Sequence, residues 1–365
     1  MTNSLIPALD PAPIPGPPWL FTVLWVVTFL IHLVLMNAAL GGAVLAAFAG
    51  GSGPGRRELR SLAVGINSWA IALAITFGIA PLLFVQVLLG RFFYTATILV
   101  AWAWLGMLGV LTVAYYLNYV AKFRLKAGRG VTGVLWGEAV CFLAVAAVQV
   151  TVNLLHMQPG RWTAVAASPW TALADPAFLP RYLHFVLAAV ALSGAVLAFA
   201  AVRFTSLGDP AARNGMARFG VRAALAATVL QLVDGFWLLL ALPEDVLRSF
   251  MRGGAVTMVP LALAILIGVL LLVVAAQIGE PLAQAAKVRR LSELIVGAML
   301  FMVVTRQQIR GLYLAPARAG EHAAVAPQWG VFALFLVIFL AAVAATVYAM
   351  VRAAKDRPAT GEEAA

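Results

Sequence analysis

Nine long apolar stretches, separated by short polar segments, follow one another along this chain. Each contains about 20 or more mostly apolar residues, the length that a helix needs to cross the hydrocarbon core of a bilayer. The pattern predicts an all-α membrane protein, a bundle of about nine transmembrane helices over Trp19–Ala49, Ser61–Gly90, Phe93–Val120, Val131–Met157, Arg181–Phe204, Phe219–Leu242, Met258–Ile278, Leu291–Leu314 and Trp329–Met350.

The composition supports a membrane protein. Hydrophobic residues make up 63% of the 365 residues and charged residues only 11%, far from the composition of a soluble domain. The first apolar stretch is too long for a signal peptide and is predicted to be a span. The single cysteine, Cys141, cannot form an internal disulfide. Because there is no Cys-x-x-Cys-His motif, any haem would be held without a covalent link.

The positive charges predict an orientation. They lie in alternate loops, at residues 56–60, 122–129, 203–218, 287–290 and 352–357, so the N-terminus is expected outside and the C-terminus in the cytoplasm. The predicted organisation is a Pro-rich outer strap (1–18), one transmembrane domain (19–352) and a cytoplasmic tail (353–365).

The net charge of +11 lies in these basic loops. It is therefore interpreted as contact with anionic membrane lipid, and nucleic-acid binding is not expected. The expected location is the bacterial cytoplasmic (inner) membrane.

Ionisable residues inside apolar spans are candidate functional residues, because their burial is costly unless they are used or paired. Glu138 in the fourth span and Asp234 in the sixth are candidates for proton handling. Pairing with a basic loop residue explains Glu138 equally well. His32, in the first span, is either a cofactor ligand or a residue that bonds a neighbouring carbonyl.

Two more histidines lie at the edges of the loop between the fourth and fifth spans. His156 and His184 both fall near the outer face, where histidine at the rim of apolar helices is typical of a redox cofactor site. Met258, at the outer start of the seventh span, is either a soft haem ligand or a core filler. The last histidine, His322, is expected to be solvated in an outer loop.

Three arginines are candidates for binding anionic groups. Arg91 precedes several aromatic residues and is either an interface anchor or a partner of a haem propionate or quinone oxygen. Arg306 and Arg310 are four residues apart on one helical face near the outer side. They require an anionic partner, for which propionates, lipid phosphates and Asp234 are all candidates.

Two motifs resemble a known family. The segment Asn153-x-x-His156-Met157-Gln158-Pro159 is similar to the Asn-x-Trp-Met-Gln-x-Pro turn of subunit I of the cytochrome bd quinol oxidases, and Pro180-Arg-Tyr-Leu-His184 is similar to the start of the next helix there. The resemblance covers most of the chain at the level of topology. It implies b-type haem, with His184 as an axial ligand of a low-spin haem, Met258 opposite it and His32 as the ligand of a second haem.

The chain also departs from that family. The loop between the sixth and seventh spans, Pro243–Thr257, is too short for the family's quinol loop. Ala101–Ala114 lacks the family's acidic pair, and Val303 stands where the third haem has a glutamate ligand. His156 replaces a tryptophan and is an alternative or additional ligand.

The resulting hypothesis is a subunit of a quinol-linked oxidoreductase. It would carry one or two b-type haems and relay electrons between the quinone/quinol pool and an outer redox partner such as a c-type cytochrome, alongside other membrane subunits. One alternative is a terminal quinol oxidase that reduces O2. Another is a haem-free structural subunit of a respiratory complex.

Overall fold

The computed structural model describes residues 5–51, 53–321 and 323–355. Predicted features at His322 and at 356–365 of the tail lie outside these ranges. The described chain forms eleven α-helices: α1 (Pro18–Phe48), α2 (Arg56–Leu99), α3 (Ala101–Lys126), α4 (Thr132–Leu155), α5 (Trp162–Ala167), α6 (Phe178–Arg203), α7 (Pro210–Leu240), α8 (Glu244–Arg252), α9 (Ala255–Ala276), α10 (Ala285–Leu314) and α11 (Trp329–Lys355).

Seven of the described helices are long and apolar enough to cross a membrane: α1 to α4, α6, α7 and α9. The prediction of an all-α, multi-pass membrane protein is therefore confirmed. The count of nine spans and the orientation stay predictions. The helix α10 is long enough to span a bilayer but carries charged residues near both ends, and the apolar part of α11 described here, Trp329–Ala342, is shorter than the others.

The boundary predicted between the second and third spans was wrong. Residues from Phe93 onward belong to α2, and α3 begins only at Ala101. With 44 residues, α2 is about 66 Å long at about 1.5 Å per residue, about twice the thickness of the bilayer core. At Leu89 the backbone leaves helical geometry, with φ −142° and ψ 23°. The segment after this kink mixes Arg91 with aromatic and apolar residues, so the sequence alone did not show that it continues the same helix.

The described residues fall into two compact units. The first comprises Met1–Ala8 and Thr22–Glu321 and holds α2 to α10. The second comprises Leu9–Phe21 and His322–Ala365 and includes α11. Within the second unit, the Pro-rich segment is extended and pairs with the chain before α11: Ile14 N donates to Ala324 O (2.8 Å), and Ala326 N donates to Ile14 O (3.0 Å).

Small residues allow the helices of the first unit to touch through their backbones. A Cβ on Gly194 of α6 would lie 2.5 Å from Gly220 O of α7, and one on Gly220 would lie 2.3 Å from Gly194 O. A Cβ on Gly41 of α1 would lie 1.9 Å from Ala189 O of α6. Small residues thus let α6 pack against α7 and against α1 with backbone atoms in contact.

One end of the first unit, called the loop end below, is formed by the segment 156–177 between α4 and α6 and by α8. Trp162 is fully buried there, and its Nε1 donates to Leu155 O (2.8 Å). The carboxylate of Asp175 accepts hydrogen bonds from Arg161 (2.5 Å), Gln158 (2.7 Å) and the Ala177 amide (2.8 Å). These bonds fix the connection that carries His156 at one side and leads to His184 at the other.

The contact between α6 and α7 makes a testable prediction for stability. Gly220→Ala should lower the free energy of unfolding by about 1–3 kcal/mol, because the added methyl group overlaps the Gly194 carbonyl and the helices must separate. The measurement is thermal unfolding of the purified protein in detergent. Gly106→Ala on the exposed face of α3, where a Cβ meets nothing within 4 Å, is the matched control and should not destabilise. Equal stability of both variants would contradict the packing described here.

Candidate functional site

His184 lies in the second turn of α6 and faces α7. Its Nδ1 is 3.2 Å from Asp234 Oδ2, and its Nε2 is 3.4 Å from the Gln231 amide nitrogen. The ring also packs beside Gly235, where a Cβ would lie 3.5 Å from His184 Cε1. A carboxylate at Nδ1 keeps a proton on that nitrogen and leaves the lone pair on Nε2, the arrangement by which proteins orient metal-binding histidines.

Met258 lies in the first turn of α9, at the same end of the bundle as His184. It is half-buried, and α9 packs against α7, the helix that carries Asp234. In the described part of the chain, the polar contacts of the His184 ring are with α7 residues. The structure thus brings His184 together with Asp234 and records no polar contact between His184 and Met258.

The imidazole ring of His32, on α1, forms a hydrogen bond with the backbone of α2. Its Nδ1 is 2.9 Å from Ala74 O, so Nδ1 carries the proton and Nε2 keeps its lone pair. Gly78 makes this approach possible, because a Cβ there would lie 2.9 Å from His32 Cε1. The two interpretations of His32 are compatible: the carbonyl bond that explains its burial also leaves one nitrogen available for a ligand.

The two arginines of α10 each cover an aromatic ring of α1. The guanidinium of Arg306 lies 4.5 Å from the Phe29 ring centroid, and that of Arg310 lies 4.0 Å from the centroid of Trp25. The two arginines are four residues apart on α10, and the two aromatic residues are four apart on α1. The two cations therefore stack on rings from successive turns of α1. Phe29 also adjoins His32, with ring centroids 6.4 Å apart. Asp234, a candidate partner for the arginines, is instead bound to His184.

His156 caps the end of α4 and is only 3% exposed. Its Nδ1 is 3.1 Å from Val152 O, whereas its Nε2 has no hydrogen-bond partner in the described structure. The side chains of Arg181, Arg306 and Arg310 lie within electrostatic range of its ring. The described contacts of His156 thus do not include His184 or Asp234, and the charges that act on its ring are those of three arginines.

Two residues near His156 and these arginines were not among the predicted site residues. They are Arg181 and, beside it, Tyr313. Arg181 NH1 donates to Asn153 Oδ1 (3.3 Å), while its buried Nε has no partner in the described structure. The hydroxyl of Tyr313, a residue 8% exposed, is likewise buried without a partner. The one sequence signal for Arg181 was its position three residues before His184, at the start of an apolar span.

Arg91 has other partners. Its guanidinium forms an ion pair with Glu321, donates to Pro7 O (3.0 Å) and lies 4.7 Å from the Phe92 ring centroid. The charge of Arg91 is thus already balanced by a carboxylate. Its contacts tie the N-terminal segment and the chain after α10 to the kinked part of α2.

Glu138 is fully buried in α4, near the end opposite the loop end. Asn67 Nδ2 donates to Glu138 Oε1 (3.1 Å) and to Ala39 O (3.1 Å). In its better amide orientation, Asn118 also donates to Glu138 Oε1 (3.2 Å) and accepts from Ser68. The carboxyl is therefore bound by two amides, and the basic loop residue considered as its partner is not among the described contacts.

A small cavity lies beside this polar group. It has a volume of about 10 Å³ and is lined by Ala38, Gly42, Asn67 and Ser193 together with apolar side chains. This is about the space that one water molecule requires. Glu138 Oε2 and Asn67 Oδ1 are buried without partners in the described structure, so the region has acceptors that a water molecule could satisfy.

The fold is similar to that of a solved respiratory protein. The structure of bd oxidase from Geobacillus thermodenitrificans superposes with a TM-score of 0.63 and 15% sequence identity, over 95% of this chain and 100% of that chain. No family model and no curated protein matches the sequence. At this level of identity the likeness concerns the fold alone.

Proposed function

We propose that the protein is a membrane subunit of a quinol-linked respiratory oxidoreductase and that it holds b-type haem. The observation that carries the proposal is the His184–Asp234 pair, with Nδ1 and Oδ2 3.2 Å apart. A carboxylate that fixes the tautomer of a histidine is the usual support of a metal ligand. The similarity of the fold to a bd oxidase supports the same conclusion.

The residues present fit haem. His184 and His32 each have Nδ1 engaged by a protein acceptor, so Nε2 of each would be the ligating atom. To free Nε2 of His184 for a ligand, the Gln231 side-chain amide would rotate away from this nitrogen. Met258 would supply a second ligand to the first haem, and His156, whose Nε2 has no partner in the described structure, is a candidate ligand on its own at the loop end. Haem would contribute one-electron transfer at a potential set by these ligands and by burial.

The charged residues have distinct proposed roles. Arg306 and Arg310 would compensate haem propionates, because the described partners of their guanidinium groups are uncharged. Arg91 is left out of this role, since Glu321 already balances it. Asp234 would orient His184, and Glu138 would exchange protons during quinol chemistry through the water-sized cavity beside Asn67.

The proposed setting is the bacterial cytoplasmic membrane, with the loop end at the outer face. Electrons would pass between the quinone/quinol pool and an outer partner such as a c-type cytochrome, within an assembly of membrane subunits. Reduction of O2 is disfavoured, because by the motif resemblance Val303 takes the place of the glutamate ligand of a third haem, and α3 contains no acidic residue. Valine cannot ligate iron.

The haem content of the purified protein tests the proposal. We expect a reduced b-type spectrum in the parent protein and the loss of one haem each in His184→Ala and His32→Ala, because each variant lacks an iron ligand. Thr228→Ala on α7 is the control, since its hydroxyl bonds only Ala224 O of its own helix (2.7 Å). A parent protein without haem would favour the structural-subunit alternative. Full haem content in both histidine variants would refute the ligand assignment.

The orienting role of Asp234 makes a separate prediction. Asp234→Leu should weaken haem retention by about 10–100-fold, as is usual when the carboxylate behind a metal-bound histidine is lost. Asp234→Asn should lose less, because the amide oxygen still accepts from Nδ1. Haem transfer from each variant to an excess of apomyoglobin measures the loss. Identical transfer rates for Asp234→Leu and the parent protein would show that the pair has no role in haem binding.

The role of Glu138 can be separated from its structural contribution. Glu138→Leu should lower the free energy of unfolding by about 1–3 kcal/mol, because the Asn67 and Asn118 amides lose their acceptor. Glu138→Gln retains an acceptor and should unfold close to the parent temperature, but it cannot exchange a proton. Its quinol-dependent haem reduction should slow by about 100-fold. Parental reduction rates in Glu138→Gln would exclude the proton-handling role.

A further inference from the structure

The arginine cluster is defined here as Arg181, Arg306 and Arg310 with the adjoining His156 and Tyr313. Its members come from α6, α10 and the end of α4, and they meet at the loop end. Arg310 is 2% exposed, His156 3% and Tyr313 8%, whereas Arg181 and Arg306 are half-buried. The three guanidinium groups lie within electrostatic range of one another.

The described partners of the three cations are uncharged. Arg181 bonds Asn153 Oδ1, Arg310 bonds Gln307 Oε1 (2.7 Å) and covers Trp25, and Arg306 covers Phe29. These four contacts contribute no negative charge.

The carboxylate in electrostatic range of Arg181 is Asp175. Its oxygens are already used by Arg161, Gln158 and the Ala177 amide. The Arg161–Asp175 pair is neutral, so the cluster keeps three formal positive charges. Removing an unpaired charge from water costs several kcal/mol even after relaxation, and this protein concentrates three such charges in one place.

Several polar atoms of the cluster are also buried without a hydrogen bond in the described structure. Three of them are donors, Arg181 Nε, Arg310 Nε and Tyr313 OH, and the fourth is His156 Nε2, which is an acceptor because Nδ1 donates to Val152 O. Nearly all buried donors in native proteins are hydrogen-bonded, and each unsatisfied donor costs about 1–3 kcal/mol. Positive charge and unused donors therefore coincide at a single site. Together they require acceptor oxygens that carry negative charge.

We propose that the arginine cluster is a binding site for an oxyanion, a carboxylate or a phosphate. Arg181 Nε, Arg310 Nε and Tyr313 OH would donate to its oxygens, and Arg306 would add charge from its position over Phe29. Guanidinium groups bind carboxylate and phosphate in the same way. Two sources supply this chemistry in a membrane: the carboxylates of a bound porphyrin and the phosphate of an anionic lipid. The first source rests on the proposed function, and the second does not.

The test compares full-length variants with two probes. Arg310→Gln, Arg181→Gln and Tyr313→Phe are purified, and haem content is measured in detergent. Retention of phosphatidylglycerol and of phosphatidylcholine is then measured by native mass spectrometry. Arg248→Gln is the matched control, because this arginine also lies at the loop end but is exposed and paired with Glu244. We expect at least ten-fold weaker retention of one anionic probe in the arginine variants, with phosphatidylcholine unaffected.

The outcomes separate the two proposals. Loss of haem in Arg310→Gln, but not in Arg248→Gln, identifies carboxylates as the ligand. A parent protein without haem, whose retained phosphatidylglycerol is lost in Arg310→Gln, refutes the proposed function and supports the anion site. Unchanged haem content and phosphatidylglycerol retention in all three variants would overturn the anion site, even in a haem protein. Should Arg310→Gln fail to fold, Arg181→Gln and Tyr313→Phe carry the same comparison.

Discussion

A charged or polar side chain inside an apolar helix bundle must find its partner within the protein, because the water it has lost is not replaced by lipid. This constraint organises the first unit. Glu138 is bound by the amides of Asn67 and Asn118, and His32 is bound by the Ala74 carbonyl. Each bond joins two helices, so satisfying a buried group also fixes the rotation of one helix against another.

Small residues make these bonds possible by letting the helices approach. The backbones of α6 and α7 touch at Gly194 and Gly220, and the same helix pair holds His184 against Asp234 further along. Gly78 has the corresponding role for His32 on α2. A larger residue at Gly78 would displace His32, whose second nitrogen is proposed to bind iron. Packing and proposed chemistry therefore depend on the same contacts.

At the loop end, the described partners of three clustered arginines are all uncharged. Glu138, His32 and His184 all have protein partners, whereas the arginine cluster keeps positive charge and free donors in the described structure. His156 belongs to this cluster, and its buried Nε2 also lacks a partner in the described structure. A bound anion would supply the negative charge and the acceptor atoms that the arginine cluster lacks in the described structure.

The sequence by itself determined the class of the protein and most of its helices. The reason is that a membrane span requires about 20 consecutive apolar residues, and such a run can be read locally. It also selected His32, His184, Glu138 and Asp234, since ionisable groups are rare within spans. It misplaced the start of the third span, because Gly90 and Arg91 look like a loop whereas the helix continues past the kink at Leu89 to Leu99.

Only the tertiary structure decided which groups meet. His184 and Asp234 are 50 residues apart in the chain, Asn67 and Glu138 are 71 apart, and Arg91 and Glu321 are 230 apart. The pairing of Asp234 with His184, and not with the arginines of α10, depends on how α6 and α7 rotate against each other. That rotation is fixed by contacts between small residues that are distant in the chain. These contacts cannot be read from the hydropathy of either helix.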